Sequence, residues 1–135
     1  MEKNITKNVD ETIKTAKKYA KTLKNGDIVL LSGDLGAGKT VFSKGLIEAL
    51  VGENEVVSPT FSICNTYSGN VDVYHFDLYR IEDEDELFNI GIEEMMYANG
   101  ICIFEWAERA EHIFPSYAKK VVIRKIDDNT REISF

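Results

Sequence analysis

The sequence predicts an α/β fold in a single domain spanning residues 1–135. Three observations carry this expectation. The four residues from Ile28 to Leu31 in "DIVLLSG" are all apolar, as in a strand buried on both faces of a parallel sheet. A glycine-rich loop and a helical segment follow that strand without a break. The chain of 135 residues can build one hydrophobic core but not two.

The elements read in order as follows. A short strand is expected around Ile5. A helix comes next, because Val9, Ile13, Ala16, Ala20 and Leu23 recur at steps of four and three and share one face. Asn8 followed by Glu11 forms a loose capping box, and Gly26 supplies a stop. Lys14, Lys17, Lys18 and Lys21 mark the solvated face. After the buried strand, "KTVFSKGLIEALVG" reads as a helix with Phe42, Leu46, Ala49 and Leu50 turned inward and Gly52 ending it. In "SPTFSICNTY", Pro59 keeps Ser58 extended, and the residues after it predict a strand through about Tyr67. "SGN" is a turn and "VDVYHFDLY" a second strand, so the pair forms a hairpin. "EDEDELF" is an acidic helix start, where carboxylates meet the positive helix end. "GIEEMMYANG" is a second short helix, and "ICIFEW" another buried strand. Pro115 marks a loop before a terminal hairpin, "KKVVIRKI" and "REISF", around "DDNT".

Composition narrows the function classes. The formal net charge is −7, which argues against direct grip on nucleic-acid phosphates, since that affinity comes mainly from Lys and Arg. Any nucleic acid is expected to be held by a partner. Cys64 and Cys102 form no C-x-x-C pair, and Cys102 lies within "ICIF", so both are expected to be reduced, largely buried thiols. The polar opening "MEKNITKNVDE" carries no apolar segment of the secretory kind, and no apolar run approaches the roughly 18 residues needed to span a bilayer. The expectation is a cytoplasmic protein.

The stretch "GDLGAGKT", from Gly33 to Thr40, matches G-x-x-x-x-G-K-[ST]. Glycines let such a loop wrap with its N–H groups turned toward anionic oxygens, and the following helix adds the positive end of its dipole. Lys39 can reach the β- and γ-phosphates, and the Thr40 hydroxyl can bind Mg²⁺. Nucleotide phosphate binding is the expected chemistry. Hydrolysis would also need a carboxylate at the end of a neighbouring buried strand. Glu105 in "GICIFEW" and Asp77 in "VYHFDLYR" both stand at such an end.

The combination of "GDLGAGKT", "SPTF", "YHFDLYR" and "FEWAER", in that order and at this length, resembles the TsaE family, also called YjeE. These are bacterial P-loop ATPases required for making N6-threonylcarbamoyladenosine at position 37 of tRNAs that read codons starting with A. The resemblance covers nearly the whole chain, and "HFDLYR" and "SPT" are far more specific than the phosphate motif. It implies a P-loop fold with a mixed sheet flanked by helices, and the partners TsaD and TsaB. Those two, with the threonylcarbamoyl-adenylate maker TsaC, perform the modification. TsaE binds the TsaB–TsaD heterodimer and hydrolyses ATP to let the complex turn over, so tRNA is met only through that complex.

By the same resemblance, Gly36, Ala37, Gly38, Lys39, Thr40 and Val41 line the phosphates of ATP. Thr40 and Glu105 are the implied Mg²⁺ ligands, directly or through water. Asp77 is a second acid, either in the metal shell or orienting the attacking water. Thr60 in "SPTF" sits where a switch-like loop could sense the γ-phosphate, and a turn-forming threonine is the other reading. Relatives often carry a threonine where this chain has Val41, whose N–H still serves. Trp106 reads as a packing aromatic or a contact for nucleotide or partner. Arg80 and Arg109 read chiefly as ion-pairing residues, and His75, on the Asp77 face of its strand, as a hydrogen-bonded structural histidine. "NVDET" and "NTRE" are the candidate contacts for the base. Two other functions share the motif. A small-molecule kinase would need an acceptor pocket and a basic lid, but the chain has four arginines and no obvious lid insert. A nucleotide-sensing module would bind without hydrolysis.

Overall fold

The computed structural model describes residues 2–34, 36–52 and 63–135. Ser58, Pro59 and Thr60, and the start of the strand read there, lie outside the described residues. The chain runs β1 (Lys3–Thr6), α1 (Val9–Ala20), β2 (Ile28–Ser32), α2 (Lys39–Val51), β3 (Cys64–Tyr67) and β4 (Val73–Asp77). Then come α3 (Asp85–Asn89), α4 (Ile92–Met96), β5 (Ile101–Glu105), a 3-10 segment (Ala107–Ile113), β6 (Lys119–Lys125) and β7 (Arg131–Ser134).

Among the described residues the strands form one mixed sheet of seven, ordered β1-β7-β6-β2-β5-β4-β3. β2 runs parallel to β5 and β6, and β4 parallel to β5. The expected hairpins β3–β4 and β6–β7 are both present and antiparallel, and β1 closes the edge against β7. β5 is buried along its whole length, as its apolar run requires.

Side-chain alternation divides the core in two. Val29, Leu31, Ile101 and Ile103 face α1 and α2, together with Phe42 and Leu46. Ile28, Cys102, Phe104 and Phe76 face α3, α4 and the 3-10 segment on the other side. There Phe76 and Phe104 stack at 4.4 Å. Burial pushes the Cys102 thiol up to about 12 and the Cys64 thiol to about 11, so both stay protonated at neutral pH.

The first helix departs from its expected pattern in three places. Its cap is as read, with the Glu11 N–H donating to Asn8 Oδ1 at 2.8 Å, but Glu11 reaches back to the Lys7 N–H rather than that of Asn8. Val9 is 59% exposed, because it forms the wall of a groove beside α2 and does not reach the sheet. The buried stripe is instead Thr12, Ala16, Tyr19 and Ala20, with the Thr12 and Thr6 hydroxyls bonded to each other at 2.8 Å. The helix also ends at Ala20, well before Gly26, whose N–H serves the turn by donating to the Gly100 carbonyl at 2.7 Å. In α2, Phe42 and Leu46 are buried as expected and Gly52 ends the helix, but Ala49 is exposed. Its place is taken by Ile47, since α2 packs against both the sheet and α1 and needs a wider apolar face.

Gly45 is where α1 and α2 touch. A Cβ there would stand 2.6 Å from the Ala16 Cβ and 3.0 Å from the Ile13 carbonyl oxygen. Gly45→Val is expected to prise the helices apart and cost about 1–3 kcal/mol. Urea unfolding measures this, and an unchanged midpoint would contradict the close contact.

Candidate functional site

The site forms where the C-terminal ends of β2, β4 and β5 meet the start of α2. Parallel pairing sets Leu31 beside Glu105, and Glu105 beside Asp77. Alternation along β4 puts His75 and Asp77 on the same face as Val73, which packs in the α2-side core, and Glu105 follows Ile101 and Ile103 onto that face. The two acids thus emerge at the sheet edge toward α2 and not toward α3.

Between β2 and α2 the glycine loop places Gly36 at φ 81° and Gly38 at φ 104°, both left-handed. Glycine alone adopts these without strain. The start of α2 has no side-chain cap and no acid in its first turn. The contrast with α1 is informative, because Asn8 caps α1 and Asp10 and Glu11 sit in its first turn. The first amides of α2 lack intrahelical acceptors, so their partial positive charge is left for an anion.

A cavity of about 360 Å³ opens over this helix end, lined by Gly36, Gly38, Lys39, Thr40, Val41, Asp77, Glu105, Trp106 and Arg131. The structure therefore gathers Gly36, Gly38, Lys39, Thr40, Val41, Asp77 and Glu105 around one space. Ala37 stands behind it. Its side chain is buried, its N–H donates to the Asp34 carbonyl at 2.9 Å, and its carbonyl accepts from Arg131. Thr60 lies outside the described residues.

Lys39 is 5% exposed; its Nζ donates to the Gly33 carbonyl at 2.6 Å and stands 3.3 Å from the centre of the Trp106 ring. Burial holds its pKa below the usual lysine value, while Glu105, Glu108, Asp77 and Asp34 pull the other way. Trp106 takes a left-handed conformation, φ 60°, which a bulky residue adopts only under constraint. Its ring meets Tyr79 at 4.8 Å, and Arg109 stands over Tyr79 at 5.4 Å, so Arg109 belongs to an aromatic stack.

The acids are held differently. Glu105 is 3% exposed and offers one oxygen to each side. Oε1 accepts from the Thr40 hydroxyl at 3.4 Å, and Oε2 lies 2.6 Å from His75 Nε2. His75 is fully buried, so the reading of it as hydrogen-bonded and structural fits, though its partner is a candidate site acid. Asp77 accepts from the Tyr79 N–H at 3.0 Å. Burial raises its pKa above the usual aspartate value, the Tyr79 bond offsets this in part, and Glu105 adds to the rise. Among the described residues no cluster of three or more His, Cys, Asp or Glu side chains is arranged to hold a metal. The donor set does fit Mg²⁺ shared with phosphate oxygens, since that ion commonly takes only one or two carboxylates from protein.

A second groove of about 240 Å³ adjoins the first, lined by Asn8, Val9, Thr12, Gly38, Val41, Asp128, Asn129 and Arg131. The segments "NVDET" and "NTRE" thus meet beside the glycine loop. A third cleft, of about 330 Å³, lies on the opposite face between Leu30, Ala107 and Phe114. No helix among the described residues is long and apolar enough to cross a membrane.

Comparison with known proteins fits this geometry. A family model described as "Threonylcarbamoyl adenosine biosynthesis protein TsaE" matches residues 6–133. The chain belongs to the TsaE family. Its relatives include the tRNA threonylcarbamoyladenosine biosynthesis protein TsaE of Bacillus subtilis, 44% identical over 131 residues that cover 96% of this chain and 82% of that one. The TsaE of Treponema pallidum is 35% identical over 130 residues, 96% of each chain. The crystal structure of Bacillus subtilis YdiB superposes with a TM-score of 0.83 at 38% identity, covering 98% of this chain and 82% of that one. The family's role in tRNA threonylcarbamoyladenosine biosynthesis is therefore this chain's role.

Trp106 is the chain's single tryptophan, so its emission reports on Lys39. Lys39→Met removes the cation over the ring and is expected to shift or brighten that emission while the circular dichroism stays unchanged. An emission spectrum identical to wild type would place the ammonium elsewhere in solution. Separately, His75→Phe takes away the Glu105 partner and is expected to destabilise the fold by about 1–3 kcal/mol, read by urea unfolding.

Proposed function

We propose that this TsaE-family protein is an Mg²⁺-dependent ATPase that binds the TsaB–TsaD complex. On this reading it supports turnover in threonylcarbamoylation of adenosine 37 of tRNAs reading codons that start with A. The observation that carries the reading is the uncapped, acid-free start of α2 beside Lys39, with the Thr40 hydroxyl 3.4 Å from Glu105.

In this reading the amides of Gly38 to Val41 bind the phosphate tail, with Gly36 and Ala37 shaping the loop. Lys39 leaves the Gly33 carbonyl to meet β- and γ-oxygens. Its desolvated charge then gains more from a phosphate than a hydrated one would. Thr40 and Glu105 would hold Mg²⁺, directly or through water, with Asp77 as the second acid in the metal shell or beside the attacking water. Bound there, Mg²⁺ would neutralise charge that develops on the transferred phosphoryl group. His75 keeps the Glu105 carboxylate aimed at Thr40. Thr60 would sense the γ-phosphate. The adjoining groove, with Val9 as its exposed apolar wall, would take the adenine.

No arginine finger is evident in the described site, and phosphoryl transfer depends on positioning and charge neutralisation that a partner can supply. Hydrolysis is accordingly expected to be slow for the isolated chain and faster with TsaB–TsaD, and chelating Mg²⁺ is expected to stop it. Thr40→Ala and Glu105→Ala are expected to abolish turnover. Released phosphate, measured with and without the partners, tests all of this. Equal rates with and without partners would remove the gating, and unchanged rates in the two variants would remove the site assignment. Phosphate appearing on a small alcohol instead of in water would point to a kinase.

A further inference from the structure

Arg131 opens β7 far along the chain from the glycine loop, yet its guanidinium bonds to the backbone of that loop. Nε donates to the Ala37 carbonyl at 2.9 Å and Nη2 to the Gly36 carbonyl at 3.5 Å. Nη1 donates into the β6–β7 turn, to the carbonyls of Asp127 at 2.8 Å, Thr130 at 3.1 Å and Asp128 at 3.4 Å. All three nitrogens thus meet main-chain oxygens. Among the described residues no carboxylate stands within ion-pair distance of the group.

The turn on the far side of this bridge is itself braced. Asp127 Oδ1 accepts from the N–H groups of Asn129 at 2.9 Å and Thr130 at 2.7 Å. The loop on the near side has a backbone bond of its own, from the Ala37 N–H to the Asp34 carbonyl at 2.9 Å, but its turn is costly to fix. Gly36 and Gly38 both sit at positive φ, and glycine gives up more conformational freedom on being fixed than any other residue. A peptide unit is planar, and the described residues hold no cis bond, so the carbonyl and the following N–H point to opposite sides. Fixing the Ala37 carbonyl against Arg131 therefore also fixes the direction of the Gly38 N–H. A guanidinium suits the task because its donors are held in one rigid plane, whereas an ammonium is a single point on a flexible stem. Lys39 ties the other end of the loop to the Gly33 carbonyl.

We propose that Arg131 is a positioning residue that preorganises the phosphate loop, bridging the Gly36 and Ala37 carbonyls to the β6–β7 turn so that the loop amides keep their anion-binding arrangement before any ligand arrives. Its consequence for nucleotide affinity rests on the function proposed above. Its consequence for loop order does not.

The test is amide hydrogen exchange on nucleotide-free protein, followed by titration calorimetry with Mg-ADP, for Arg131→Ala, Arg131→Lys and the control Arg124→Ala. Arg124 pairs with Glu132 on the exposed side of the same hairpin. Exchange at residues 36–40 is expected to rise at least tenfold in both Arg131 variants, with the Mg-ADP dissociation constant rising at least tenfold as well. The control is expected to match wild type. Faster exchange confined to β6 and β7, with the loop and the affinity untouched, would reduce Arg131 to a hairpin stabiliser and overturn the proposal. Full restoration of both readouts by lysine would overturn it too, since charge alone would then suffice. Should the alanine variant unfold, the lysine variant carries the comparison. A wild-type protein that ignores Mg-ADP would remove the nucleotide reading and leave the exchange result to decide the brace.

Discussion

Parallel pairing of β2 with β5, and of β5 with β4, is the constraint on which the site depends. It sets Leu31, Glu105 and Asp77 in one row across the sheet, at the edge where the glycine loop departs. No turn chemistry could do this locally, because Asp77 and Glu105 reach that row from separate strands. Burial enforces the register. A one-residue slip of β5 would turn Ile101 and Ile103 away from α2 and swing Glu105 toward the Phe76–Phe104 side of the sheet. The apolar residues that make β5 a strand therefore also aim its terminal acid.

The charges at that edge are kept from cancelling one another. Lys39 sits between a carbonyl and an aromatic face, not on a carboxylate, and Glu105 is divided between a hydroxyl and an imidazole. Burial pulls the pKa of Lys39 down and that of Asp77 up, so both charged forms are disfavoured relative to water. A bound anion with its counter-cation would relieve both tendencies. A direct Lys39–Glu105 salt bridge would lower the energy of the empty site, but it would have to break before any phosphate could enter.

Much of this was legible in the sequence because it is local. The glycine loop, the apolar run of β5, the Asn8 cap and the β6–β7 hairpin each announce themselves within one short continuous stretch of sequence. What was not legible involves partners remote in sequence. The His75–Glu105 pair and the stacking of Trp106 over Lys39 depend on which strands become neighbours. Arg131 enters the sequence reading only within "NTRE", a candidate contact for the base, and its bonds to the glycine loop leave no sequence signal, because its partners are main-chain oxygens. Val9 and Ala49 were misassigned for a related reason. Helical periodicity identifies a face, but it cannot say where the sheet ends or that α2 must serve two neighbours at once.

Val9 also shows how the ends of the chain are drawn into the site. β1 pairs with β7 through Lys3 and Ser134, and with Arg131 opposite Thr6. That pairing brings the start of α1 and the β6–β7 turn to either side of Gly38, forming the groove that Asn8, Val9 and Asn129 share. Val9 stands exposed on the wall of that groove, beside the loop that Arg131 braces. The same β1–β7 ladder thus supports the brace on the phosphate loop and builds the adjoining groove. Any ligand spanning both cavities would tighten the sheet edge, the loop and the N-terminal helix together.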